Sequence, residues 1–205
     1  MIIKKFIQKK IIRFLNSKKI LKIFFYYHKF FNNKGLKNIG FDFTLKKNRK
    51  YIVQDIINLK NYSKYLEIGC FDDELFKVIK IADKTGVDPV SGGTIRLTSD
   101  QFFLQNKKFF DCVFIDGLHT YDQCSKDCIN AMKFLDTNGL IILHDMLPRS
   151  KTEETQKFSG DAWKVAVDLS KSENLEFIIA NIDQGVGLIK TKENSKYIFI
   201  SLLKK

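Results

Sequence analysis

The sequence predicts an α/β fold with a mostly parallel sheet, preceded by a basic helical arm. Three observations carry this reading. From residue 51 onward, short apolar runs ending in polar residues alternate with stretches of helical period. The last two such runs flank the turn Asp183-Gln184-Gly185, as an antiparallel pair would. The charge is also divided. Of the 205 residues, the first 50 hold 15 Lys and Arg against one acid, Asp42, a net +14, while residues 51–205 hold 20 against 22, a net −2. The expected organisation is therefore an arm and linker over 1–50 and a folded domain over 51–205.

In chain order, Ile3, Ile7, Ile11, Phe14, Leu15, Leu21, Phe24 and Phe25 recur mostly at three- and four-residue steps among lysines, which predicts one or two amphipathic helices over 2–31. Asn32-Asn33-Lys34-Gly35 reads as a helix stop. In the body, helices are expected over Tyr51–Lys60, Asp73–Ile81, Asp100–Gln105 (with Ser99 as cap), Tyr121–Leu135 and Ala162–Lys171. Strands are expected at Tyr65–Gly69, Thr85–Asp88, Ile95–Thr98, Asp111–Asp116, Gly139–Leu143, Phe177–Ala180 and Val186–Lys190. Tyr197–Leu202 reads as a last strand or a tail. Buried apolar strands alternating with helices are the mark of a parallel sheet.

Composition excludes several classes. No apolar run approaches the ~18–20 residues of a membrane span. The lysine-interrupted N-terminus does not read as a secretory signal. Cys70, Cys112, Cys124 and Cys128 form no CxxC pair, so they read as reduced thiols of a cytoplasmic protein. A near-neutral body argues against a uniformly basic nucleic-acid binder.

The polar residues sit at the strand ends, where ligands bind in open α/β sheets. Glu67 and Gly69 end the first strand, Asp88 the second, Ser99 and Asp100 the third, Asp116 and His119 the fourth, and His144 and Asp145 the fifth. The loop Gly69-Cys70-Phe71-Asp72-Asp73 has a single glycine, and Asp72, Asp73 and Glu74 would repel a pyrophosphate. A cationic ligand, or a nucleoside without phosphates, suits it better, with Asp88 accepting from ribose hydroxyls. The alternative, that Asp72 and Asp73 only complement a helix dipole, stays open here.

Asp116 and Asp145 end adjacent predicted strands and would converge on one cation, with His144 as a third ligand. His119, three residues after Asp116, would act as general base. The bland reading makes His119 a helix cap and His144 a core residue. Trp163 reads as core or pocket wall, Asp161 as pocket mouth, Asp122 and Asp127 as solvated helix positions, and His28 as structural. Tyr121 reads as either shaping the acceptor site or packing at a helix start.

At YLEIGC (65–70), GVDP (86–89), Gly92-Gly93-Thr94, TSDQFF (98–103), FDCVFIDGLHTY (110–121), GLIILHDMLP (139–148) and GDAWK (160–164) the chain resembles the class I S-adenosylmethionine-dependent methyltransferases. Within them it is similar to a bacterial small-methyltransferase group and to metal-dependent sugar O-methyltransferases. The resemblance implies a Rossmann-like seven-stranded sheet with helices on both faces and a reversed last strand. It implies S-adenosylmethionine held by Glu67, Gly69, Asp88, Ser99, Asp100 and Asp116. It further implies Mg²⁺ or another divalent cation at Asp116 and Asp145, catalysis by His119 and Asp116, and a glycan or small hydroxylated acceptor. His144 departs from the pattern, which usually has an acid there.

Two rival functions are an accessory protein with a degenerate methyltransferase fold, docked through its arm, and an RNA methyltransferase. The near-neutral body weighs against the second. Residues 1–34 are expected to meet an anionic membrane surface or a second copy of the chain, which would leave the enzyme cytoplasmic, at the inner membrane face.

Overall fold

The computed structural model describes residues 48–191. The arm helices expected over 2–31, the helix stop at 32–35 and the strand Tyr197–Leu202 lie outside the described residues. Helix α1 (Arg49–Lys60) opens on Asn48, whose side chain accepts from the Lys50 amide, and stops at Asn61, which turns left-handed (φ 53°). Strand β1 (Lys64–Ile68), strand β2 (Asp83–Val87), helix α2 (Ser99–Gln105), strand β3 (Phe110–Ile115), helix α3 (Tyr121–Lys133), strand β4 (Leu135–Leu143), helix α4 (Lys164–Ser170), strand β5 (Leu175–Ala180) and strand β6 (Val186–Thr191) follow.

Among the described residues the sheet has six strands in the order β2-β1-β3-β4-β6-β5. The first four pair in parallel, with Leu66 beside Val113 and Val113 beside Ile141. β6 runs antiparallel to β4 and to β5, so the expected strand pair around 183–185 is present. The strand expected at Ile95–Thr98 is a correction. Only a single bridge, Val87 to Ile95, forms there. Arg96 donates to the Asp88 and Gly92 carbonyls, and Thr98 is already committed as a cap. Thr98, not Ser99, caps α2, through a reciprocal box with Gln101.

The helix expected over Asp73–Ile81 is a second correction. The segment is a run of turns mixing a four-residue bond (Lys77 to Asp73) with a three-residue one (Val78 to Leu75). Phe71 (φ 46°) and Asp73 (φ 62°) break helical geometry. The Lys84 ammonium takes the Phe76 and Ile79 carbonyls at 2.7 and 2.9 Å, acceptors that a continuing helix would have used.

Alternate strand residues feed two cores, as the strand period of two requires. Leu66, Ile68, Val113, Ile115, Ile141 and Leu143 pack with α2, α3 and α4. Tyr65, Cys112, Phe114 and Ile142 pack on the other face with Val53 and Ile57 of α1 and with Leu75, Phe76 and Ile79 of the turn segment. α3 presents Cys124, Cys128, Ala131 and Met132 at three- and four-residue steps. All four cysteines are free and buried. Asp127, on the same helix, is 1% exposed rather than solvated, because it accepts from the Gln123 side chain beneath the α2–α3 seam. No described helix is long and apolar enough to cross a membrane.

Candidate functional site

A cavity of about 790 Å³ opens where the carboxyl ends of β1, β2, β3 and β4 meet. That is within the range of about 300–1,000 Å³ for sites that enclose a small molecule. Its wall includes Glu67, Gly69, Asp88, Ser99, Asp100, Asp116, His119, His144 and Asp145. The loops after β1 and β3 touch closely. Gly69 sits at φ +89°, and a Cβ there would fall against the Asp116 carbonyl, 2.5 Å from its carbon and 2.7 Å from Gly117 Cα. A side chain at 69 is excluded, so the first loop turns tightly enough with one glycine.

Asp116 and Asp145 follow the adjacent strands β3 and β4, and Asp145 is turned inward by a left-handed backbone (φ 64°). His144 Nδ1 stands 3.2 Å from Asp116 Oδ1 and 3.3 Å from Asp145 Oδ1. His119 Nε2 stands 3.5 Å from an oxygen of each acid. His119 Nδ1 meets the Phe158 carbonyl, which can only accept, so the ring hydrogen belongs on Nδ1 and Nε2 is the free basic nitrogen. Ser159 donates to Asp145 Oδ1 at 2.9 Å.

The electrostatics follow from this packing. Burial alone would raise Asp116, but the charge of His144, the bonds to both histidines and Arg49 hold its carboxyl far below the usual range. Burial alone would lower the two histidines, yet the facing carboxylates raise both, His144 strongly. One ligand atom from each of Asp116, His144 and Asp145 lies within 4.8 Å of the others. Two carboxylates and an imidazole are a donor set that fits a divalent ion of the Mg²⁺–Mn²⁺ kind, the imidazole favouring the softer end. The residues present therefore fit such an ion.

Glu67 is 2% exposed, accepts from the Tyr65 hydroxyl at 2.7 Å, and is pushed up to about 8 by burial, against the pull of that bond. Arg49 offsets that burial only in part, and a cation received beside Glu67 would favour its ionised form. Asp88 does not stand open. Its Oδ1 takes the amides of Val90 and Ser91, and its Oδ2 that of Phe71. A carboxylate oxygen accepts twice, so Oδ2 keeps room for a ribose hydroxyl. Gln123 reaches Ser99, Asp100 and Asp127 from α3, tying the start of α2 to the cavity. Asp73 is drawn away to the Gly93 amide, whereas Asp72 and Glu74 line the wall. Asp161 accepts from the Tyr121 amide, and the Tyr121 hydroxyl donates to Asp168, so both residues are engaged in packing α3 against α4.

Sequence reasoning missed Arg49 and Asp183. Arg49 was counted with the arm, yet its guanidinium lines the cavity and reaches Asp183, His144 and Glu74. Asp183 read only as a turn residue. Its carboxylate is aimed by a left-handed backbone (φ 45°), a conformation that Asp tolerates and that does not show in the sequence.

Comparison with known proteins bears on the fold and on the domain. Residues 49–146 match the family described as methyltransferase domain. No curated protein sequence matches the chain. A Staphylococcus aureus protein assigned as a caffeoyl-CoA O-methyltransferase superposes with a TM-score of 0.53 at 16% identity, covering 93% of this chain and 100% of that one. A Podospora anserina methyltransferase bound to S-adenosylhomocysteine gives 0.53 at 13%, covering 87% and 97%. A Bacillus cereus O-methyltransferase in complex with S-adenosylhomocysteine gives 0.51 at 13%, covering 70% and 80%. At such identities these structures speak to the fold, and the domain match speaks to the activity class. Over residues 49–146 the chain therefore matches a methyltransferase domain, and it shares its fold with S-adenosylhomocysteine-bound methyltransferases.

Proposed function

We propose that this methyltransferase acts on oxygen, methylating a hydroxyl of a glycan or a small hydroxylated metabolite with a divalent cation at Asp116, His144 and Asp145. The observation that carries the reading is the position of His119, whose free Nε2 lies 3.5 Å from an oxygen of both Asp116 and Asp145. An alcohol is a weak nucleophile until its proton is taken, and a base fixed beside a cation site is what that chemistry requires. Two of the structural neighbours carry O-methyltransferase in their names.

Glu67, Gly69, Asp88, Ser99 and Asp100 would hold S-adenosylmethionine, which supplies an electrophilic methyl on a sulfonium. The cation would supply Lewis acidity to the acceptor oxygen. His119 receives the hydroxyl proton at Nε2, while the Phe158 carbonyl holds the ring through Nδ1. Asp116 and Asp145 stabilise the resulting imidazolium. The basic residues 1–34 would bring the enzyme to an anionic membrane surface on the cytoplasmic side, a reading supported by the +14 charge of the first 50 residues.

The test is methyl transfer from labelled S-adenosylmethionine to pooled sugars and small alcohols, with Mn²⁺ and with EDTA. Ether methyl groups that form with Mn²⁺ and fail with EDTA are expected. Methylated nitrogen, or transfer indifferent to EDTA and to His119→Ala, would overturn the reading.

A further inference from the structure

Gln123 stands in the first turn of α3 and lines the cavity. Its Nε2 lies 3.1 Å from Ser99 Oγ, 3.1 Å from Asp100 Oδ1 and 3.0 Å from Asp127 Oδ1. Two of these three partners are carboxyl groups, and an ionised carboxylate accepts without donating. Burial pushes Asp127 up to about 6, so at about pH 8 it too is ionised. The side-chain amide is therefore held one way round. Turned over, it would set Oε1 against both carboxylate oxygens. Among the described residues the hydrogen bonds of this side chain all run through Nε2. What Gln123 has left to offer a ligand is Oε1, which can only accept.

The surroundings say which ligand group that suits. Asp88, at the end of β2, keeps an oxygen for a ribose hydroxyl, and Ser99 and Asp100 open α2 farther along the chain. Val90 and Leu118, 77% and 62% exposed, line the same cavity. Apolar walls with a few placed polar groups suit a flat base read at its rim. On the rim of adenine the 6-amino group donates, whereas the unsubstituted ring nitrogens accept.

We propose that Gln123 selects adenine: its Oε1 accepts from the 6-amino group of the base, while Ser99, Asp100 and Asp127 hold the amide through Nε2. This rests on the S-adenosylmethionine reading of the cavity given above. A 6-oxo base in the same place would set oxygen against oxygen, so hypoxanthine is refused. A site that hydrogen-bonds an N–H discriminates against an analogue lacking it, because its own polar group is then left unpaired.

The test is calorimetric titration of the full chain at about pH 8 with two ligands. One is S-adenosylhomocysteine and the other is S-inosylhomocysteine, in which oxygen replaces the 6-amino group. The wild type is expected to prefer the first by about 10-fold. Gln123→Lys keeps a donor toward Ser99, Asp100 and Asp127 but removes the acceptor, and Gln123→Met removes both. In each variant the preference is expected to fall to about twofold or less. A preference kept in Gln123→Lys would overturn the proposal, as would a wild type that does not discriminate. Gln123→Met that weakens both ligands equally and keeps their ratio would make Gln123 a structural residue, which also overturns it. A wild-type chain that binds neither ligand would overturn the S-adenosylmethionine reading itself, and the wild-type titration tells the two failures apart.

Discussion

Replacing Gly69 with alanine places a methyl group between the loop that follows β1 and the loop that carries Asp116. The backbone there has φ +89°, and leaving the ordinary region costs an L-residue about 1–2 kcal/mol. The new Cβ would lie 2.5 Å from the Asp116 carbonyl carbon and 2.7 Å from Gly117 Cα. Carbon atoms pack at about 3.5–4.0 Å, so the loops must part by about 1 Å. Overpacking of this kind costs about 1–3 kcal/mol. Together the loss is about 2–5 kcal/mol, and at about 2–4 °C per kcal/mol the melting temperature falls by roughly 4–20 °C. The displacement also moves Asp116, so S-adenosylhomocysteine affinity measured by calorimetry at low temperature falls with it. Gly117→Ala is the control. Its Cβ would meet Ile68 Cγ2 at 3.4 Å and Asp127 Oδ2 at 3.5 Å, ordinary contacts, and it should cost less than about 1 kcal/mol. If Gly69→Ala melts with the wild type and keeps its affinity, the close approach of the two loops is not a constraint and the reasoning fails.

Other outcomes can be checked independently. His119→Ala should lower turnover about 10²–10⁴-fold while leaving S-adenosylhomocysteine affinity near wild type; equal losses in both would make His119 a structural residue. Because the carboxylates raise His119 above 6.5, and the base works only when neutral, kcat/KM should climb with pH through a point above 6.5. Burial pushes Asp127 up from 3.8 to about 6, so the native state resists its ionisation, and that penalty grows as pH rises through this window and is full above it. Asp127→Asn should therefore be more stable than the wild type by about 1–3 kcal/mol above pH 6, with the gap closing toward pH 4 in thermal melts. Thr98→Ala should cost about 1 kcal/mol through the lost cap of α2, read by chemical denaturation. Deleting residues 1–34 should abolish co-sedimentation with anionic liposomes and leave S-adenosylhomocysteine binding intact; unchanged co-sedimentation would remove the membrane role of the arm.

Much of the chemistry was legible because it lies at strand ends, and strand ends are legible. Asp116 and Asp145 terminate apolar runs, and β3 and β4 do lie side by side. What failed in the reading failed where local pattern meets non-local competition. The 73–81 segment has helical period, but the Lys84 ammonium takes its carbonyls. Ile95–Thr98 has strand composition, but the cap of α2 claims its end. Asp127 has the spacing of a surface position, yet the α2–α3 seam covers it.

The sequence by itself pointed to a parallel sheet, through short apolar runs alternating with helical stretches, and to the gathering of acids and histidines at the strand tips. Only the tertiary structure decided which atoms face one another. It set His144 with Nδ1 toward two acids and Nε2 toward Arg49 and Asp183. It also brought Arg49 into the cavity from the first turn of α1 and aimed Asp183 from a left-handed turn. Those relations join residues up to 134 positions apart, and no periodicity or motif encodes a contact between side chains whose meeting depends on how the sheet and its loops close.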